Sequence, residues 1–524
     1  MTRLVHLARC SLISVTLLVA ANLAHADPIE LIGVGVVPGT TSDGLILTPP
    51  VLEDGTPHDR MGGFGSAISY TGIGQRYLAT PDRGPADGTT SYRDRYYLID
   101  IVVTPGSPTP VAVSLVQATP LSREDGEIFT GGSGAFDAAN SPASLRFDPE
   151  GIRVSPAGRF FVSDEYGPFV YEFDTTGRRV RILSVPEKFL IDHPNAVGAD
   201  ELPPGNTKGR QANRGMEGLA ISPDGSKLYG IMQNALIQDG ALNAANSRRG
   251  LHNRILEIDV ATGRTRELVY VLDDRSYGVN EILAINDHEF LVLERDGNPG
   301  ASAAFKRIFR IDLVGATDVS GVATLPQTGP LPAGVTPVSK TPFLDLLLPS
   351  FGLAGPDFPE KIEGLAFGPD LPDGRHLLLV TSDNDFFANQ DSKIFAFAVP
   401  PDALPGFQPQ ILPTSTFSHF FREGSGRGTW TAERHRNGRS VPSRQDGRSR
   451  GRHDPDADAP PQRRRPGRDG SSPDPPRGML QQPQDCVLQD GTGDGPHRQG
   501  DHRCARWKRV HSSNRGESGD QRTL

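Results

Sequence analysis

Cysteine is nearly missing from this 524-residue chain, with only Cys10 near the start and Cys486 and Cys504 near the end. The long stretch between them has neither a disulfide framework nor a Cys-type zinc site, so its stability must come from buried apolar surface. Beyond the first 26 residues no apolar run is long enough for a helical membrane span. The usual hydrolase signatures are also absent. Ser66 in "GFGSA" and Ser133 in "GGSGA" lack the second glycine of a nucleophile elbow. There is no H-E-x-x-H and no P-loop. His58, His193 and His252 are available as bases, but nothing in the sequence marks a partner for them. Long helices are disfavoured by 59 Gly and 46 Pro, about a fifth of the chain.

Residues 1–26 read as a secretory signal. Arg3 and Arg9 precede the short apolar core Ser11 to Leu23, and Ala24-His25-Ala26 is a cleavage site. Cleavage after Ala26 delivers the rest to the periplasm or outside the cell; a retained anchor is the alternative. The remainder divides by charge. Asp27 to Phe421 carries 31 Lys+Arg against 49 Asp+Glu, net −18, whereas Arg422 onward carries 21 against 14, net +7. The tail, typified by "GRSRGRHDPDADAPPQRRRPGRDG", is too poor in aliphatic residues to offset chain entropy, and the reading for 406–524 is disorder. Export argues against a nucleic-acid-binding role for it. The abrupt loss of hydrophobic pattern suggests a reading-frame shift instead, which resequencing the coding region would settle.

Within 27–405 one phrase recurs. Residues 216–229 read "MEGLAISPDGSKLY", and imperfect copies surround Glu150, Glu281 and Glu363. In the second copy "GLAIS" and "KLYGIM" are strands around the turn Pro223-Asp224-Gly225, and "RILEIDV" and "TRELVYV" form a second hairpin with period-2 alternation. Two hairpins make a four-stranded meander, the unit of a β-propeller blade. Upstream, "GGFGSAISYTGIGQRYLATPDRGP" repeats the plan with Gly in place of Glu. The repeated Glu residues are 67, 64 and 82 apart, so loops carry excess length. The expected fold is all-β, a propeller with six blades favoured and five or seven allowed. A β-sandwich is the runner-up.

The first strand of a blade lines the central channel, which places Glu150, Glu217, Glu281 and Glu363 at strand starts there. A second set lies at the far end of the next strand: Asp82-Arg83, Asp164-Glu165, Glu294-Arg295-Asp296 and Asp383-Asn384-Asp385. Antiparallel pairing brings both sets to one mouth. Two carboxylates about 4 Å apart repel by roughly 4 kcal/mol at an effective dielectric near 20, so compensation is needed, either from Arg83, Arg214 and Arg295 or from a cation. Oxygen-only ligands suit Ca²⁺, or Mg²⁺, better than zinc. The plainer reading is that residues repeated in every blade brace the blade. Asp224 and Asp373 sit in Pro-Asp-Gly turns and are turn formers, and His288 is incidental.

Together "TPDRGP", "DPEGIRVSPAGRFFVSDEYGP", "NRGMEGLAISPDG", "EILAINDHEFLVLERD" and "KIEGLAFGPD…VTSDND" resemble the secreted bacterial phytase-like family, "esterase-like activity of phytase", from about Asp27 to Val399. The resemblance implies a propeller whose recurrent acids serve phosphoester hydrolysis. Carried over, these are Asp82, Glu150, Asp164, Glu165, Glu217, Glu281, Glu294, Asp296, Glu363, Asp383 and Asp385. The tail has no counterpart in it.

Three readings follow. In the first, a monomeric secreted phosphoric ester hydrolase uses Ca²⁺ held by Asp82, Glu150, Asp164, Glu217, Glu281, Asp296, Glu363, Asp383 and Asp385, with Glu165 or Glu294 as general base and Arg83 and Arg295 on phosphate. Its partner is a small phosphoester, with no nucleic acid and no membrane insertion. In the second, Ca²⁺ merely stabilises a binding propeller. In the third, the same scaffold is a metal-dependent lactonase or carboxylesterase.

Overall fold

The computed structural model describes residues 28–138, 141–242 and 248–413. The expected signal segment and residues 414–524 of the tail lie outside the described residues, whereas 406–413, expected to belong to the disordered tail, are described and hydrogen-bonded to the blades. Five four-stranded antiparallel sheets form the body, each running outward from an inner strand. Blade 1 comprises Ala67–Tyr70, Arg76–Thr80, Arg95–Val103 and Val111–Pro120. Blade 2 comprises Pro149–Val154, Phe160–Asp164, Val170–Phe173 and Arg179–Leu183. Blade 3 has Met216–Ile221, Lys227–Met232, His252–Asp259 and Thr265–Val271, and blade 4 has Gly278–Ala284, Glu289–Arg295, Lys306–Asp312 and Ser339–Asp345. Blade 5 takes Ile362–Phe367, His376–Ser382 and Ser392–Val399 from the end of the domain, and its outer strand, Glu30–Val37, from the beginning.

The inner strands adjoin one another in a closed ring from blade 1 round to blade 5. The fold is therefore a five-bladed propeller. Six blades were favoured from the repeat spacing, and the difference lies in the long connections, such as those from 184 to 215 and from 313 to 338. The closing strand "ELIGVGVV" carries no trace of the repeated phrase. Its pairing with Ser392–Val399 ties the two ends of the domain together and leaves no open seam.

The turns form where expected. Gly225 closes Pro223-Asp224-Gly225 with φ +75°, a conformation that only glycine adopts cheaply, and Asp224 accepts the N–H of Ser226. The apolar faces meet between blades. Tyr96 packs against Phe160 at 4.9 Å across the seam of blades 1 and 2, and Tyr229 against Phe290 at 4.5 Å across that of blades 3 and 4. The glycine that follows Glu150, Glu217 and Glu363 has a steric cause at the axis, where inner strands converge. A Cβ on Gly151 would lie 2.5 Å from the Cβ of Leu219, and one on Gly218 would lie 2.8 Å from the Cα of Glu281. Gly151→Ala is expected to cost about 1–3 kcal/mol through overpacking against a neighbouring backbone that cannot retreat; urea unfolding measures it.

At one end of the channel the segment Phe407 to Leu412 crosses from blade to blade. Gln408 N–H donates to the Ile285 carbonyl and Ile411 N–H to the Pro223 carbonyl. Between the two ends, Arg153 and Glu281 form a buried ion pair at 2.8 Å.

Candidate functional site

Each inner strand that carries a repeated Glu contains a β-bulge. In blade 3 Met216 pairs with Met232 and Gly218 with Ile231, leaving Glu217 unpaired. Blade 2 jumps from Pro149–Asp164 to Ile152–Val162, and blade 5 from Ile362–Ser382 to Leu365–Val380. An extra residue breaks the alternation of faces and re-aims a side chain. Here it turns Glu150, Glu217 and Glu363 into the mouth. In blade 4 the unpaired residue is Asn280, one position earlier than the Glu. Asn280 therefore lines the mouth, and Glu281 points instead to Arg153 in the channel. The expectation of four equivalent Glu residues is corrected to three.

The mouth is a cavity of about 220 Å³ lined by Asp82, Arg83, Glu150, Glu165, Glu217, Arg295 and Glu363, with Asn213, Arg214, Gln233, Asn280 and Lys361 among their neighbours. Two groups of carboxylates sit close together within it or at its wall. Asp148, Glu150 and Glu165 have oxygens within 4.8 Å of one another, and so do Asp82, Asp383 and Asp385. The second group already surrounds an ammonium. Lys361 Nζ lies 3.0 Å from Asp383 and 3.6 Å from Asp82, and it also pairs with Asp385. The first has the guanidinium of Arg83, 2.9 Å from Asp148 and 3.6 Å from Glu165. Glu217 receives the amides of Gln233 and Asn280 on one oxygen, while its other oxygen and Asn280 Oδ1 are buried without a hydrogen-bond partner. The group of Asp148, Glu150 and Glu165 is buried and oxygen-only, a donor set that could hold a hard divalent cation.

The same cavity also holds Arg214 and Arg295. Arg295 is bound to Glu363 at 2.8 Å, but among the described residues the Arg214 guanidinium hydrogen-bonds only the side chain of Asn234 and has no carboxylate in ion-pair range. Burial, then the nearby Arg249, lowers the Arg214 pKa.

The remaining sequence candidates serve local structure. Asp164 accepts the N–H groups of Asp148, Tyr166 and Gly167. Glu294 takes the Tyr270 hydroxyl, the Asp273 N–H and the Lys340 ammonium, away from the mouth. Asp296 binds Lys306, Asn298 and the N–H groups of Ala304 and Phe305. His58 braces a loop between the Pro49 carbonyl and the Arg93 N–H. Conversely, Asp148 and Lys361 were missed. Each lies two residues before a repeated Glu, a spacing that returns to one face of a strand.

Burial pushes Glu217 and Glu363 up to about 7, and Glu363 adds to the push on Glu217. Burial also raises Asp82, Glu150 and Glu165, with Asp383 next in importance for Asp82 and Glu217 for the other two. A carboxyl raised from 4.5 in the unfolded chain contributes stability below about pH 4.5 and loses it as pH climbs to about 7. With chelator present, the urea midpoint is thus expected to fall between pH 5 and 8. The fall should be shallower in Glu217→Gln, and a flat profile in the native chain would contradict it.

Fold and mouth define a five-bladed β-propeller with a buried site of paired carboxylates and arginines. The chain belongs to the phytase-like family described as "esterase-like activity of phytase", which it matches over residues 59–386. It is 26% identical over 461 residues to an "uncharacterized secreted protein" of Arthroderma benhamiae, covering 68% of this chain and 86% of that one. Solved structures with similarity include a luciferin-regenerating enzyme (12% identity, 67% of this chain and 96% of that one, TM-score 0.28). Another is the Cps50 (Swd1) β-propeller domain of Myceliophteria thermophila (10%, 71% and 100%, TM-score 0.30). The propeller assignment rests on the strand pairing above. Among the described residues no helix is long and apolar enough to cross a membrane.

Proposed function

We propose that the protein is a secreted phosphoric ester hydrolase whose mouth cavity binds a divalent cation, Ca²⁺ in preference to Mg²⁺, on Asp148, Glu150 and Glu165. The observation that carries this reading is one buried cavity in which carboxylates crowd together, a Glu217 oxygen without a hydrogen-bond partner among them, while Arg214 has no carboxylate in ion-pair range among the described residues. A phosphoester beside a cation satisfies both. A bound divalent ion would neutralise substrate phosphate and make a coordinated water more acidic. Glu165 accepts the proton of the attacking water. One oxygen of this carboxylate takes the Gly215 N–H, while the other lies 3.6 Å from Arg83 and is placed to act. The water oxygen bonds to phosphorus, the phosphorus–oxygen bond to the alcohol breaks, and the departing alkoxide receives the proton. Arg214 and Arg295 hold phosphate oxygens. Arg83, tied to Asp148 and Asp87, positions the carboxylates.

The name of the fungal relative and the signal-like N-terminus support export. The test is phosphate release from a panel of mono- and diesters with Ca²⁺ and then with chelator. Release that chelator abolishes and Ca²⁺ restores is the expected outcome. No release from any ester, with a Ca²⁺-dependent rise in melting temperature, would leave a binding propeller.

A further inference from the structure

Beside the mouth is a second cavity of about 250 Å³ that shares Arg83 and Asn213 with it. Its floor is a stack in which the Tyr166 ring carries the guanidinium of Arg146 at 4.6 Å and that of Arg83 at 5.7 Å. Its outer wall is the connection between blades 2 and 3. That wall is pinned in place, since Arg146 Nη1 donates to the carbonyls of Ser133 and Asn195 and pairs with Glu201 at 3.1 Å. The other oxygen of Glu201 holds Arg210. The cavity is therefore preformed, next to the place where an ester would lose its alcohol.

Resting on the hydrolase reading, we infer that this side cavity receives the alcohol half of the ester, and that this alcohol is neutral, polyhydroxylated and of monosaccharide size. Charge argues against a second phosphate. The guanidiniums of Arg83, Arg146 and Arg210 are paired with the carboxylates of Asp87, Asp148, Glu165 and Glu201, three positive charges against four negative, so the set has no positive charge to spare. Shape and polarity argue against an aryl or acyl group, because the Tyr166 ring is already covered by two guanidiniums. The volume is below the roughly 300–1,000 Å³ typical of drug-sized ligands. Hydrogen-bonding capacity remains at the rim. Asn213 is exposed, its amide makes no hydrogen bond among the described residues, and its φ of +54° holds it in the left-handed region between the two cavities.

The experiment titrates the full chain with glucose and with sorbitol in the absence of any ester, then compares hydrolysis of glucose 6-phosphate and 4-nitrophenyl phosphate. Ala196→Trp fills the rim from an exposed position, and Asn213→Gly removes the amide where glycine is at ease. Both sugars are expected to bind, and both variants to weaken binding at least tenfold. Ala196→Trp should lower kcat/KM for glucose 6-phosphate at least tenfold and leave the nitrophenyl ester unchanged. Failure of both sugars to bind, or binding indifferent to Ala196→Trp, overturns the inference. Sugar binding that Ala196→Trp abolishes, with no ester turned over, supports the cavity and overturns the hydrolase. Ester turnover without sugar binding does the reverse.

Discussion

Glu165→Gln is expected to lower phosphate release by about 10²–10⁴-fold, the usual contribution of a positioned proton acceptor. The amide keeps the acceptor for the Gly215 N–H, so the connection into blade 3 should hold and the variant should fold. Loss of the carboxylate also removes one of three oxygens that would bind the cation, so two effects need separating. A pH–rate profile does this. If Glu165 is the base, Glu165→Gln should abolish the acidic limb of the native profile; if it is only a ligand, the limb should persist. If excess Ca²⁺ restores Glu165→Gln to the native rate, Glu165 is a ligand only and the base is another group. Glu294→Gln serves as the contrast: its carboxylate is engaged with Tyr270, Asp273 and Lys340, so turnover should hardly change.

Glu281→Ala should produce the largest loss of stability, about 3–5 kcal/mol, because it leaves the Arg153 guanidinium buried without a counter-charge. Both partners are nearly inaccessible, at 2% and 1% exposure, and their separation is 2.8 Å. Arg153 also donates to the carbonyls of Ile68, Ile152 and Ile282, while Glu281 accepts the N–H groups of Leu219 and Ile282. One pair thus fastens the inner strands of blades 1 to 4 across the channel. The check is urea unfolding at fixed Ca²⁺. Arg153→Met/Glu281→Leu should recover much of the loss, since exchanging a whole buried pair for apolar groups is far milder than breaking it. A Glu281→Ala protein of native stability that no longer turns over ester would return Glu281 to the site.

The blade plan was legible because it is local. A strand–turn–strand phrase such as "GLAISPDGSKLYGIM" needs only alternation and a glycine-bearing turn, and the structure places Met216–Ile221 and Lys227–Met232 there. The convergence of Asp82, Glu150, Glu165, Glu217 and Glu363 also followed from antiparallel pairing, which puts the start of one strand beside the end of the next. Blade number was less legible, since repeat spacing adds loop length to blade length. Asp148 and Lys361 were readable in principle, two residues before Glu150 and Glu363.

What the sequence determined by itself is thus the repeated meander, the acidic body and the strand ends that carry carboxylates. Each depends on neighbours a few residues apart. Only the tertiary structure decided that the strand Glu30–Val37 closes the last blade, and that a one-residue difference in bulge position sends Asn280 to the mouth and Glu281 to Arg153. It also decided which acids acquire local partners, as Asp164, Glu294 and Asp296 do, and which stay unsatisfied in a shared cavity. The reason is physical: a bulge re-aims a side chain by shifting alternation a single step, and the partner it then meets comes from another blade.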